Sequence, residues 1–224
     1  IQKFSSDRIF LTQRGKEGSE TGEFFGPHSI TVNNIGEIYV ADTHNNRVQK
    51  FTSDGAFIHQ WGTKGDSSGQ FEEPRGIAAD SMGNIYVVDT LNDRIQKFTS
   101  DGNYIEQWGG YDIEGTFDEP RDISVDDQGY IYVADTKNDR VQKVNPDGVF
   151  ITQWGGLGLS PGQFNYPHGI AVDTQGYVYV ADTWNSRILK FTPEGIFIKK
   201  WGSNSGNIGN DPGQFNYPQG ITVS

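Results

Sequence analysis

One segment recurs four times in the 224-residue chain: YVADTHNNRVQKF from Tyr39, YVVDTLNDRIQKF from Tyr86, YVADTKNDRVQKV from Tyr132 and YVADTWNSRILKF from Tyr179. Its aspartates, Asp42, Asp89, Asp135 and Asp182, are spaced by 47, 46 and 47 residues. A fixed period of this length means stacked units, none of which can bury its apolar face alone. The clustered Asp, Asn and Arg resemble catalytic equipment. An active site is rarely needed four times over, however, so the set reads as scaffold.

Each repeat holds four short apolar stretches separated by turn residues. In the second full copy these are GIAAD from Gly76, NIYVVD from Asn84, RIQKFT from Arg94 and YIEQWG from Tyr104, which we label strands a to d. No segment keeps a helical period of 3.6, so almost no helix is expected. Four strands per repeat is the arithmetic of an all-β propeller blade.

The pattern Pro-x-Gly-Ile, then Gly-x-Ile-Tyr-Val-Ala-Asp-Thr-x-Asn-x-Arg-Ile-Gln-Lys-Phe, then Asp-Gly-x-Phe-Ile-x-x-Trp-Gly, resembles the NHL repeat over essentially the whole chain. The residue after the repeated Asn is Asn46, Asp93, Asp139 or Ser186, so the Asn-His-Leu tripeptide of the family is absent. The resemblance implies a β-propeller, usually of six blades, that serves as a binding platform for protein, RNA or other ligands and less often as an enzyme.

Four complete repeats are expected over 24–70, 71–116, 117–163 and 164–214 of a single 1–224 domain. The chain opens on strands c and d (IQKF, FLTQRG) and closes on strand a (PQGITVS), so 1–23 and 215–224 are expected to form a split fifth blade lacking strand b. Five blades are expected for these residues, and one more repeat would make the native array six. Incomplete closure leaves a strand edge that could pair with a second chain.

Composition narrows the partners. With 18 Lys and Arg against 29 Asp and Glu, the net charge is -11, which repels phosphate backbones, so no nucleic-acid partner is expected. There is no Cys, hence no thiol or zinc-thiolate chemistry. No apolar run approaches the roughly 20 residues of a membrane span, and IQKFSSDR has no signal-peptide layout. The compartment is not fixed by these residues; a trimmed segment would point to an extracellular or cell-surface setting.

Asp42 with Arg47, Asp89 with Arg94, Asp135 with Arg140 and Asp182 with Arg187 are read as structural pairs bracing the b to c turn through bidentate bonds. Trp61, Trp108, Trp154 and Trp201 close strand d, with Arg14 in the equivalent place of the first partial copy, and are read as packing between blades. Function is sought where the copies differ. The d to a loops and the b to c turns share one face, and that face carries the variation. Its turns vary at His44, Leu91, Lys137 and Trp184, with Trp184 a candidate exposed contact. The residue after the repeated Pro is His28, Arg75, Arg121, His168 or Gln219. These five should gather at the mouth of the central channel, where the arginines could hold a carboxylate or phosphate and His28 and His168 a metal.

A narrower resemblance bears on that mouth. PHSI at Pro27 and PHGI at Pro167 are similar to the zinc-binding Pro-His motifs of NHL-type peptidyl-hydroxyglycine amidating lyases. The other three positions hold Arg75, Arg121 and Gln219, and the lyase Tyr is replaced in the DTWNSR turn by Trp184, so the resemblance implies zinc at His28 and His168 only in part. GDSSG at Gly65 matches a nucleophile motif by letters but falls in a d to a loop. No catalytic residue is assigned. The expected function is a non-enzymatic platform recognising a protein, glycan or small anion, with no cofactor; the alternative is a metal-dependent lyase or hydrolase at the mouth.

Overall fold

The computed structural model describes residues 1–110, 117–202, 209 and 211–223. Parts of two variable d to a loops, 111–116 and 203–208 with 210, lie outside the described residues.

Eighteen strands are present among these residues. β1 (Gln2–Phe4) and β2 (Phe10–Gln13) form a hairpin. Four antiparallel sheets follow, each a meander in chain order. They are β3 (Ser29–Val32), β4 (Ile38–Asp42), β5 (Arg47–Phe51) and β6 (Phe57–Trp61); then β7 (Pro74–Ala79), β8 (Ile85–Asp89), β9 (Arg94–Phe98) and β10 (Tyr104–Gly109). The last two are β11 (Asp122–Val125), β12 (Ile131–Asp135), β13 (Arg140–Val144) and β14 (Phe150–Gly155), and β15 (Pro167–Val172), β16 (Val178–Asp182), β17 (Arg187–Phe191) and β18 (Phe197–Gly202). Each b to c connection is a three-residue 3-10 turn, at Thr43–Asn45, Thr90–Asn92, Thr136–Asn138 and Thr183–Asn185.

The IYVAD-type strands are apolar on both faces because blades cover them on both sides, which is why β8 and β12 are buried along their whole length. The a to b turns are held by one carboxylate or amide each: Asp80 Oδ1 accepts the Met82 and Asn84 amides, and its Oδ2 accepts the Tyr86 hydroxyl. Neighbouring blades lock through the tryptophans. Trp61 lies against Phe98, with centroids 5.8 Å apart, and over Gly102, where a Cβ would come 2.6 Å from the indole. Gly102 also has φ +80, so glycine is required there twice over. Trp108 meets Gly148 and Trp154 meets Gly195 in the same way.

The blade count differs from the expected five. Four complete blades are formed, and the fifth is not. The terminal segments dock on different blades as fragments of neighbours. On the first blade, Arg14 covers Gly55 as Trp61 covers Gly102, and Lys3 Nζ donates to Ser53 O at 3.2 Å. On the last, Phe215 packs beside Gly202, and Thr183 Oγ1 donates to Pro218 O at 2.7 Å, as Thr43 does to Pro74 O. With no strand b between them, β1 pairs only with β2, and residues 218–223 join no ladder. The uncovered flank shows in Ile30, 47% exposed, where its counterpart Ile77 is 4% exposed.

Candidate functional site

The variable face is organised by the repeated aspartates. Asp42 is wholly buried; its Oδ2 accepts from Arg47 Nε at 2.7 Å, Asn45 Nδ2 at 2.9 Å and Gln49 Nε2 at 3.0 Å, and its Oδ1 from the Phe25 amide at 2.8 Å. The guanidinium is therefore not bidentate on the carboxylate, contrary to expectation. Its other nitrogens donate to the carbonyls of Ser19, Glu20 and Glu23. The pair fastens the d to a loop onto the b to c turn, because those loop carbonyls have no ladder partner and a buried carbonyl must be satisfied. Asp89 with Arg94 and Asp182 with Arg187 repeat the arrangement, and Arg140 Nε donates to Asp135 Oδ2 at 2.6 Å.

A second device sets the mouth. The residues before the repeated prolines, Glu73, Glu119, Tyr166 and Tyr217, have φ of 50, 39, 54 and 45°. This left-handed conformation is costly for such side chains and is further disfavoured before proline. Side chains of the preceding blade hold three of them: Asn46 Oδ1 accepts the Glu73 amide at 2.9 Å, Asp93 Oδ1 the Glu119 amide at 2.7 Å and Asp139 Oδ1 the Tyr166 amide at 2.7 Å. The position that departs from the Asn-His-Leu tripeptide is thus a clamp between blades.

The innermost strands and residues 219–222 surround a channel. At its mouth is a cavity of about 660 Å³ lined by His28, Arg121, Asp122, His168 and Gln219 among others, so four of the five expected mouth residues meet there. Arg75 stands beside them, near enough for its charge to act on His28, Arg121 and His168. Arg75 Nη2 pairs with Glu73 at 2.7 Å, and Arg121 Nη2 with Glu119 at 3.4 Å. Yet Arg75 Nε, Arg121 Nε and His168 Nδ1 are buried without a hydrogen-bond partner among the described residues, and His168 is only 6% exposed.

Burial and the neighbouring charges hold both mouth histidines unprotonated. Burial, then the charges of Arg121, His28 and Arg75, push His168 down to about 3. Burial, then Arg75, Arg121 and His44, push His28 down to about 4, although the residue as a whole is exposed. Both imidazoles are neutral at pH 7. Burial, the larger cause, opposes a metal dication as it opposes a proton, and the two guanidiniums add to it. Among the described residues no group of three His, Asp or Glu is placed to hold a metal, whereas a catalytic zinc normally takes three protein ligands. The set of two imidazoles and two guanidiniums does not fit such a centre.

The b to c turn residues lie on the rim. His44 meets Phe25 edge-on with centroids 5.1 Å apart. Leu91 is half-buried and its amide donates to Glu72 O. Lys137 Nζ reaches Glu119 at 2.9 Å. Trp184, 54% exposed, stacks on Tyr166 at 4.6 Å and 19°, and the Arg121 guanidinium lies 6.0 Å from the Tyr166 ring. The loop holding GDSSG is spent on structure: Ser67 O accepts from Arg94 and the Gly69 amide donates to Gln96.

Asp122 belongs to this site and was not among the expected residues. It replaces the glycine found as Gly76, Gly169 and Gly220, a departure visible in PRDI against PRGI. Its Oδ2 accepts the Ile170 amide at 3.0 Å from the next blade, and burial raises its carboxyl to about 7.

The sheets and mouth define a repeat propeller with a polar pocket at its channel, where two ion-paired arginines stand near two histidines and Asp122. The NHL repeat model matches residues 24–51, 71–98, 117–144 and 164–191, and the chain belongs to the NHL repeat family. No curated protein matches it by sequence. Among solved structures it is similar to a catalytically inactive virginiamycin B lyase from Staphylococcus aureus with quinupristin, at 16% identity and TM-score 0.69, covering 98% of this chain and 66% of that one. It is also similar to a streptogramin B lyase, at 18% identity and TM-score 0.67, covering 99% and 79%. A nidogen/laminin complex matches at 18% identity and TM-score 0.66, covering 88% and 68%. Another virginiamycin B lyase structure from Staphylococcus aureus is covered over 59% of its length, so the chain spans less than two thirds of two of these lyase structures. At these identities the likeness is one of fold.

Proposed function

We propose that this propeller is a binding platform whose channel mouth receives the anionic group of a ligand, a carboxylate or phosphate. The observation that carries this reading is the set of buried, unpartnered nitrogens on Arg121 and His168, which line one cavity, and on Arg75 beside it. Leaving such donors unmade costs about 1–3 kcal/mol each, more for charged groups, and an anion recovers that cost. Charge-assisted bonds to a guanidinium are also the strong ones. Titration calorimetry with acetate and inorganic phosphate tests it: saturable binding to the wild type, lost in Arg75→Ala and Arg121→Ala, is the expected result. Absence of binding to both anions overturns it.

A second reading, a lyase at the same mouth, draws on the free Nδ1 of His168 and on the lyase folds above. Here the neutral imidazole would orient a bound substrate by a hydrogen bond, since a group held down to about 3 is too weak a base to remove a proton at pH 7. Incubation with quinupristin, followed by mass spectrometry of wild type and His168→Ala, distinguishes it: cleavage by the wild type alone favours the lyase. A protein partner on the loop face is supported only by the likeness to a chain of a nidogen/laminin complex.

A further inference from the structure

We propose that the ligand is a short acidic carbohydrate, with a uronic acid carboxylate in the channel mouth and an adjoining pyranose ring on Trp184. This rests on the anion reading above and specifies what is attached to the anion. Three aligned groups carry it. Trp184 is the exposed end of a stack whose next member is Tyr166 and whose inner end is Arg121, in steps of 4.6 and 6.0 Å. The stack is built: the φ of 54° at Tyr166 is held by Asp139 of the preceding blade, and the Trp184 amide donates to Asn165 O at 3.1 Å. It leads to the cavity containing His168, whose unpartnered Nδ1 is buried.

The shape of the platform selects the ring. One face of the Trp184 indole is taken by Tyr166, and the side chain remains 54% exposed. A single open aromatic face suits a pyranose, which rests its axial C–H face on the ring and keeps its hydroxyls in water. An aromatic ligand would leave its second apolar face hydrated and gain only half of its burial. The net charge of -11 favours a short ligand with few charges over a long polyanion. The two steps from indole to guanidinium require more than one sugar ring.

The test is calorimetry with the disaccharide cellobiouronic acid, its neutral parent cellobiose, benzoate and inorganic phosphate, on wild type, Trp184→Ala and Arg121→Ala. The expected result is cellobiouronate bound at least tenfold more tightly than cellobiose or benzoate. Trp184→Ala should remove about tenfold from cellobiouronate and leave phosphate unchanged; Arg121→Ala should weaken both. Equal cellobiouronate binding to wild type and Trp184→Ala overturns the carbohydrate proposal while phosphate binding keeps the anion reading. Tighter benzoate than cellobiouronate also overturns it. Loss of every ligand from the wild type, phosphate included, removes both. Trp184→Phe, which keeps a stacking face, should retain most of the cellobiouronate affinity if the ring is what matters.

Discussion

The Tyr166 amide donates to Asp139 Oδ1 of the preceding blade at 2.7 Å, and this bond fixes a left-handed residue directly before Pro167. Asp139 is itself left-handed, at φ 50°. Asp139→Ala removes the acceptor and the residue type that tolerates this conformation, and should cost about 1–3 kcal/mol. Asp139→Asn should cost much less, since Asn46 performs the same task for Glu73. Urea denaturation of both variants, with near-ultraviolet circular dichroism reporting the Tyr166–Trp184 stack, checks this.

Arg187 is 1% exposed and holds the wholly buried Asp182 together with the carbonyls of Leu159 and Gln163. Removing it strands a carboxylate and several acceptors. Arg187→Ala should destabilise by about 3–5 kcal/mol, in the range for breaking a buried pair. Arg187→Lys should rescue little, because an ammonium cannot span the same fork of partners. Equilibrium unfolding decides it; a loss below about 1 kcal/mol would contradict the clamp.

Asp122 gives a pH-dependent prediction. Its carboxyl is raised from 3.8 to about 7 by burial, so the folded state holds the proton more tightly than the unfolded state. Its cost to stability is absent below pH 3.8, grows as pH rises, and is complete above about 7, at most ~4 kcal/mol. Asp122→Asn should therefore raise the melting temperature at pH 8 and change it little at pH 4. Melting curves across that range measure the difference, and an equal effect at both ends would show that Asp122 acts only through its bond to Ile170.

His168 titrates in the opposite sense. Its depressed value means the folded state binds its proton less readily than the unfolded chain, so this contribution to stability is held above about pH 6.5 and is lost as pH falls toward 3. The ring resonances should stay flat from about pH 8 to pH 5 in the nuclear magnetic resonance spectrum. Arg121→Gln, which removes one repelling charge, should bring the transition upward, and a bound anion should do the same.

The repeat, the four strands of each blade and the packing role of Trp61, Trp108 and Trp154 were legible in the sequence, because each depends on local spacing repeated in every copy: glycine at Gly102 and Gly195, alternation in the strands, Asp and Arg five residues apart; Trp201, expected to pack likewise, is 36% exposed and stacks on Tyr179 of its own blade. The convergence of His28, Arg121, His168 and Gln219 was also legible, since one position of a repeat must fall on one ring. Tertiary structure decided the rest. The four-blade outcome follows from where 1–14 and 215–223 find partners, on the first and last blades and not on each other. The single-nitrogen contact of Arg47 with Asp42 follows from loop carbonyls that no pattern announces. Asp122 stood in the sequence as an exception to glycine, but only the approach of Ile170 from the next blade makes it a half-buried acceptor. Local spacing is written along the chain, whereas solvent exclusion and unsatisfied hydrogen bonds arise only when distant segments close around a group.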